Sequence, residues 1–124
     1  MRVLICGGRD FQDYLHFASA LRAAQAIYGQ VSVVIHGAAK GADHCAHLWA
    51  TSAGNKHIEE IKFPAEWKKH GRAAGPIRNQ QMIDEGKPDL VIAFPGGRGT
   101  EDMLFRSQKA GIEVMKVMGR ERMP

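Results

Sequence analysis

Short apolar segments alternate with longer polar and amphipathic segments along this chain. Runs of apolar residues rich in Val, Ile and Leu are typical of strands buried on both faces of a parallel sheet. Alternation of apolar and polar residues is typical of an edge strand instead. The first pattern predicts strands over residues 2–6, 31–35 and 90–94, the second predicts one over residues 57–63, and a last strand is predicted near residues 113–117.

After the first strand, apolar side chains recur with the spacing of an amphipathic helix. Asp13 can cap this helix, and Gly29 can end it. Pro76 suits the first turn of another helix, and Thr100 is an N-cap candidate for the last one. Helices are predicted over residues 14–28, 41–53, 76–85 and 100–110.

Strands that alternate with helices predict an α/β fold. We expect a Rossmann-like three-layer sandwich, in which helices cover both faces of a parallel sheet of about five strands. The predicted strand order is 3-2-1-4-5. In that order the chain changes direction between strands one and four, and open sheets bind ligands at such a switch point. Two glycine-rich loops, residues 7–11 and 95–100, flank it.

Composition places few further limits on function. The 124 residues predict a single domain, and the formal charge of +4 favours anionic partners, either metabolites or nucleic acid. We expect no membrane span and a cytoplasmic location, with Cys6 and Cys45 reduced and buried. Residues 65–75 are polar, basic and predicted to form a loop over the site, and residues 118–124 to form a short charged tail.

The loop after the fourth strand carries the strongest candidate chemistry. Gly96, Gly97 and Gly99 leave room for a ligand to approach the main chain, and the free amides of the following helix attract anions. The sequence fits neither the Walker pattern nor the full dinucleotide fingerprint. We therefore interpret residues 95–100 as the phosphate-binding loop of a nucleotide site.

This loop resembles the Pro-Gly-Gly-x-Gly-Thr motif of the LOG proteins, which belong to the SLOG superfamily together with DprA/Smf. The resemblance covers nearly the whole chain and is closest to the YspA/YpsA-related SLOG proteins. It also includes Cys-Gly-Gly-Arg-Asp-Phe and His-Gly-Ala-Ala-Lys-Gly-Ala-Asp. The matching segments are residues 6–11, 36–43, 63–67, 71–79 and 95–100.

The resemblance implies roles for three side chains. In LOG enzymes an arginine on the helix before the glycine strand takes part in the reaction, and Arg78 lies at the matching place. The LOG motif continues to a glutamate that acts in glycosidic bond cleavage, but Met103 occupies that position. Glu101 and Asp102 precede it, and either can serve as the acid or merely complement the positive end of the helix.

Further site candidates lie in the other loops. Arg9 and Asp10 can contact a phosphate and a ribose, or pair with each other. Resemblance places the turn that contains Asp43 at the ligand, although Asp43 can simply be a helix N-terminal carboxylate. Trp67 and Arg72 belong to a basic loop that can cover a ligand, follow single-stranded nucleic acid, or be solvated. The predicted ligand-binding residues are Gly7, Gly8, Arg9, Asp10, Gly37, Gly41, Ala42, Asp43, Trp67, Arg72, Asn79, Pro95, Gly96, Gly97, Arg98, Gly99 and Thr100.

The sequence is compatible with three functions. The first is a nucleotide-binding or sensing module, the second a LOG-like phosphoribohydrolase that releases the base of a nucleoside monophosphate, and the third a DprA-like binder of single-stranded DNA. The resemblance to LOG proteins also implies a homodimer. No cofactor is predicted. No metal site is predicted either, because Asp43 and His47 share a helix face but His44 and Cys45 point elsewhere.

Overall fold

A five-stranded parallel sheet forms the centre of the molecule, as the computed structural model of residues 1–119 shows. Its strand order is β3-β2-β1-β4-β5, and this confirms the predicted fold class and strand order. Leu4 in the central strand is in register with Ile35 of the neighbouring strand on one side and with Val91 of the neighbouring strand on the other. The strands are β1 (Arg2–Cys6), β2 (Val33–His36), β3 (Glu59–Lys62), β4 (Leu90–Ala93) and β5 (Glu113–Lys116).

Helices cover both faces of the sheet and bury a separate apolar core on each. Phe17, Leu21 and Trp49 pack on one face, under the first two helices. Met82 and Met103, from the last two helices, pack on the other. The α-helices are α1 (Tyr14–Tyr28), α2 (Ala42–Ala50), α3 (Trp67–His70), α4 (Ala74–Gly86) and α5 (Arg98–Lys109), and short 3₁₀ turns occupy Ala53–Asn55 and Gly71–Ala73.

Several predicted boundaries were wrong. The stretch of residues 65–75 was predicted as a loop, but it contains α3, a 3₁₀ turn and the start of α4. Helix α2 ends at Ala50 rather than near residue 53. Strand β2 starts at Val33, because the amide of Val31 donates to Oε1 of Gln25 outside the sheet ladder. The charged tail predicted over residues 118–124 lies outside the described residues from residue 120 onward.

Both cysteines are free and buried, as predicted. Burial, followed by the nearby Asp43 carboxylate, raises the pKa of the Cys6 thiol to about 12. This thiol is therefore not ionised at neutral pH and is a poor nucleophile. Within residues 1–119, no helix combines the length and the apolar character that crossing a bilayer requires.

Candidate functional site

Three loops meet at the carboxyl end of the sheet. The amide of Gly8, after β1, donates a hydrogen bond of 2.8 Å to the carbonyl oxygen of Pro95, after β4. The carbonyl oxygen of Gly8 accepts a hydrogen bond of 3.1 Å from the amide of Ala42, which begins α2. The loop after β1 is thus joined by main-chain hydrogen bonds to the loops on either side of it.

Glycine is required where these loops touch. A Cβ atom on Gly96 would overlap the hydroxyl of Thr100 and would lie 2.6 Å from the amide nitrogen of Gly8. Gly41 has a φ of +78°, and a Cβ atom there would overlap the carbonyl oxygen of Gly8. These two glycines are therefore explained by the packing of the protein on itself.

Gly97 and Gly99 differ from Gly41 and Gly96, because the packing of the protein does not require glycine at either position. A Cβ atom on either residue would meet no atom within 4 Å. Gly97 is the N-cap of α5 and supplies no side chain, so within residues 1–119 the first amides of the helix have neither a side-chain acceptor nor an intrahelical one. The N-cap prediction for Thr100 was wrong because the helix starts earlier, at Arg98, and Thr100 is buried in its first turn.

A cavity of about 230 Å³, here called the crevice, lies beside this helix start. It brings together predicted residues from four parts of the chain. The other predicted site residues are not part of its lining. The lining consists of Ile5, Cys6, Gly7, Gly8, Arg9, Ala39, Asp43, Asn79, Met82, Gly97, Gly99 and Thr100.

Asp43 is the buried carboxylate of the crevice. Its Oδ2 atom accepts hydrogen bonds of 3.2 Å from the amides of Gly37 and Ala39. Burial raises the pKa of Asp43, and the nearby His36 and the amide bonds oppose this rise. Ala38, between the two donors, has a left-handed φ of +57°. The carboxylate thus holds the β2–α2 turn in shape while it lines the crevice.

Arg78 connects α4 to the same turn. Its Nη1 atom donates to the carbonyl oxygen of Gly37 at 2.8 Å and to that of Phe63 at 3.4 Å. Its Nε atom donates to Oδ1 of Asn79 at 3.2 Å. Burial lowers the pKa of Arg78, and Asp43 opposes this change. The guanidinium therefore fastens the β2–α2 turn to α4, outside the lining of the crevice.

The candidate acids on α5 do not enter the crevice. Asp102 accepts hydrogen bonds at Oδ2 from Nε of Arg106 at 2.8 Å and from Nδ2 of Asn79 at 2.9 Å. Burial would raise the pKa of Asp102, but these bonds outweigh it and hold the pKa below its ordinary value. Glu101 is exposed and lines a groove beside β5. Met103, at the LOG glutamate position, is fully buried.

Arg9 and Asp10 do not pair with each other in the described part of the chain. The guanidinium carbon of Arg9 instead lies 5.7 Å from the centre of the Trp67 ring, which is within the range of a cation–π contact. Trp67 is half exposed, and Arg72 and Arg98 are exposed. Arg9 and Trp67 thus form a side-chain bridge between the β1–α1 loop and α3.

Sequence patterns did not predict a polar network formed by His36, His47 and Glu60. The amide of Ala38 donates to Nδ1 of His36 at 2.9 Å, so the ring proton resides on Nε2 and is donated to Oε2 of Glu60 at 2.6 Å. Nδ1 of His47 lies 2.8 Å from the same oxygen. Burial would raise the pKa of Glu60, but these hydrogen bonds outweigh it and lower the pKa.

These three side chains offer ligand atoms within 4.8 Å of one another, a spacing that could hold a metal ion. However, Nε2 of His36 can bind a metal only after it loses its proton, and moving that proton to Nδ1 would break the hydrogen bond from Ala38. Asp43, considered as a ligand from the sequence, is engaged by two amides of its own turn. The hydrogen bonds therefore favour a structural role for the network.

Comparisons with known proteins agree with this architecture. Residues 1–70 match the model of the YspA, cpYpsA-related SLOG family. The chain is also 38% identical over 120 residues to the Gene 61 protein of Mycobacterium phage D29, an alignment that covers 92% of this chain and 94% of the phage protein. The chain belongs to the YspA, cpYpsA-related SLOG family.

Proposed function

We propose that this protein binds a nucleotide or a nucleotide-derived ligand, with a phosphate group at the start of α5. The observation that carries the proposal is the uncapped end of this helix, where the crevice meets the open glycines Gly97 and Gly99. Free amides and the positive end of the helix dipole together favour an anion at this position.

The open glycines need an explanation that the protein's own packing does not provide. Glycine inside a helix is about 1 kcal/mol less favourable than alanine. Gly99 lies within α5, and no neighbouring atom excludes a side chain there. A phosphate that approaches the main chain closely accounts for the absence of a side chain at this residue.

Binding without cleavage fits the position of the acids better than hydrolysis does. A LOG-like phosphoribohydrolase needs a carboxylate that stabilises the positive charge developing on the ribose. Met103 is buried in the core at the corresponding position, and Asp102 is engaged by Arg106 and Asn79. Glu101 lines a groove on the other side of the glycine loop. We therefore propose a binding or sensing module.

The exposed face of α3 favours single-stranded nucleic acid as a second candidate ligand. Trp67 is 48% exposed, and Lys68, Lys69 and Arg72 are exposed beside it. An aromatic ring among basic side chains is a common arrangement for stacking bases and contacting phosphates. Retention of a labelled oligonucleotide at low salt, lost as salt is raised, would support this candidate.

Calorimetric titration with AMP, GMP, CMP and UMP tests the proposal, with the four nucleosides as controls. We expect saturable binding of at least one nucleotide, and loss of binding for the nucleoside that lacks the phosphate. Equal binding of nucleoside and nucleotide, or no binding of any of them, would overturn a phosphate site at α5. Chromatography of the same mixtures after long incubation separates binding from turnover, since free base and ribose 5-phosphate appear only if the ligand is cleaved.

A further inference from the structure

A second cavity, of about 580 Å³, adjoins the crevice on the side of α1 and α2. We call it the side pocket. Arg9 and Ala39 line both cavities, so the two spaces meet at these residues. Phe11, Tyr14, Lys40, His44 and Leu48 contribute further to the side pocket.

The crevice alone is too small for a whole nucleotide. It encloses about 230 Å³, whereas sites for ligands of this size commonly measure roughly 300–1,000 Å³. A ligand whose phosphate lies at α5 must therefore extend into a neighbouring space. The side pocket, at about 580 Å³, has room for a base together with its ribose.

The side pocket combines apolar surface with polar side-chain groups that make no hydrogen bond to a described residue. Leu48 is 44% exposed although it lines this concave surface. The ring of Tyr14 stacks on Phe17 at an angle of 17°, and its hydroxyl makes no hydrogen bond to any described residue. The side chains of Lys40 and His44 likewise form no hydrogen bond or ion pair within residues 1–119. Apolar walls with a few convergent polar groups are typical of small-molecule sites.

Charge distinguishes the side pocket from the other space next to the crevice. A cavity of about 740 Å³ between the β1–α1 and β4–α5 loops is also lined by Arg9, but together with the carboxylates of Asp10 and Asp13. Among residues 1–119, the lining of the side pocket contains the cationic Arg9 and Lys40 and no carboxylate. A ligand that carries a phosphate is therefore repelled less from the side pocket than from this cavity.

We infer that the side pocket holds the nucleobase and ribose of the ligand whose phosphate lies at α5. This inference rests on the proposed function. Arg9, which lines both cavities, would then lie between the phosphate and the base. Tyr14 and Leu48 would supply the surface against which the base packs, and the Tyr14 hydroxyl would be available to the polar edge of the base.

Filling the side pocket tests the inference. Leu48→Trp places a larger side chain at a partly exposed helix position of the pocket, where folding should tolerate it. Leu15→Trp is the matched control, because Leu15 is 74% exposed on α1 and lines neither the crevice nor the two cavities beside it. Calorimetric titrations with the four nucleoside monophosphates and with ribose 5-phosphate measure the contribution of the base separately from that of the phosphate. Circular dichroism melting confirms that both variants are folded.

In the wild type we expect at least one nucleotide to bind about tenfold or more tightly than ribose 5-phosphate, in line with the contribution of base stacking. Leu48→Trp should remove most of this difference and leave ribose 5-phosphate binding within about twofold, whereas Leu15→Trp should change neither. The inference is overturned if Leu48→Trp retains the full preference for the nucleotide, or if no nucleotide binds more tightly than ribose 5-phosphate. Absence of all binding to the wild type would instead overturn the proposed function, and the inference with it.

Discussion

The main-chain amide of Gly8 donates a hydrogen bond of 2.8 Å to the carbonyl oxygen of Pro95. This bond joins the loops that follow the two central strands, β1 and β4. The contact is close because neither Gly8 nor Gly96 carries a side chain: a Cβ atom on Gly8 would lie 2.9 Å from that carbonyl oxygen. The relative position of the two loops, and so the shape of the crevice, depends on these glycines.

Gly96→Ala should therefore destabilise the protein. The added methyl group would overlap the hydroxyl of Thr100, which is buried, and the main chain of Gly8. Overpacking of this kind typically costs about 1–3 kcal/mol of the free energy of unfolding, which urea denaturation measures. Gly54→Ala is the control, because a Cβ atom there meets nothing within 4 Å. Equal stability of Gly96→Ala and the control would show that the loops are not packed as described.

Arg78→Lys should destabilise the protein although it preserves the charge. The guanidinium donates to the carbonyl oxygens of Gly37 and Phe63 and to Asn79, and an ammonium group cannot reproduce this planar arrangement. We expect a loss of about 1–3 kcal/mol in the free energy of unfolding, because buried acceptors lose their donors. Arg72→Lys, at an exposed position, should lie within about 0.5 kcal/mol of the wild type in the same urea titration. If Arg78→Lys lowers the free energy of unfolding no more than Arg72→Lys does, Arg78 does not fasten the β2–α2 turn to α4.

The His36–Glu60–His47 network should make stability depend on pH. The pKa of Glu60 is lowered in the folded protein, so its contribution is present above the unfolded pKa and is lost as the pH falls through the folded value. The affected window lies below about pH 4. Glu60→Gln should therefore be less stable than the wild type at neutral pH, and the difference should shrink at acid pH. The midpoints of urea denaturation of both proteins at neutral pH and near pH 3 measure this difference in stability.

Glu59→Gln is the matched control for that experiment. Glu59 neighbours Glu60 in β3, is exposed, and makes no side-chain hydrogen bond to a described residue. Its replacement should change neither the stability at neutral pH nor its dependence on pH. If Glu60→Gln behaves like Glu59→Gln, the network does not stabilise the fold.

Restoring the LOG glutamate should not create a hydrolase. Met103→Glu places a carboxylate at a fully buried position in the core beneath α4 and α5. An unpaired buried charge costs several kcal/mol, so the variant should unfold or lose about 3 kcal/mol or more of stability. Phe105→Glu, on the exposed side of the same helix, should remain folded. A folded Met103→Glu variant that releases free base from AMP would contradict the position of residue 103 in the core, away from the ligand.

The fold could be predicted from the sequence because its signals are local and repeated. The apolar run of residues 90–94 and the alternation over residues 57–63 distinguish a central strand from an edge strand. In the structure these segments become β4, buried in the centre of the sheet, and β3, at its edge. Once helices separate the strands, the rules of parallel sheets leave few arrangements.

The details that could not be predicted depend on contacts between distant parts of the chain. Glu60 meets His36 only because β3 pairs with β2 in a register that sets His36 opposite Lys62. The bond from Arg78 to Gly37 joins residues 41 positions apart. Trp67 begins a single helical turn in a polar stretch, where no apolar periodicity indicates a helix. Sequence patterns do not specify such pairings.

The most direct test of the central claim is calorimetric titration of Gly99→Asp with the nucleotide that binds the wild type. The new carboxylate has open space, complements the helix dipole, and should leave stability unchanged or slightly raised. It also places a negative charge where the phosphate is proposed to lie.

Gly54→Asp is the control, since it makes the same charge change at an open glycine outside the lining of the crevice. We predict that Gly99→Asp weakens binding by about tenfold or more while Gly54→Asp stays within about twofold. Wild-type affinity in a folded Gly99→Asp variant would contradict a phosphate site at the start of α5.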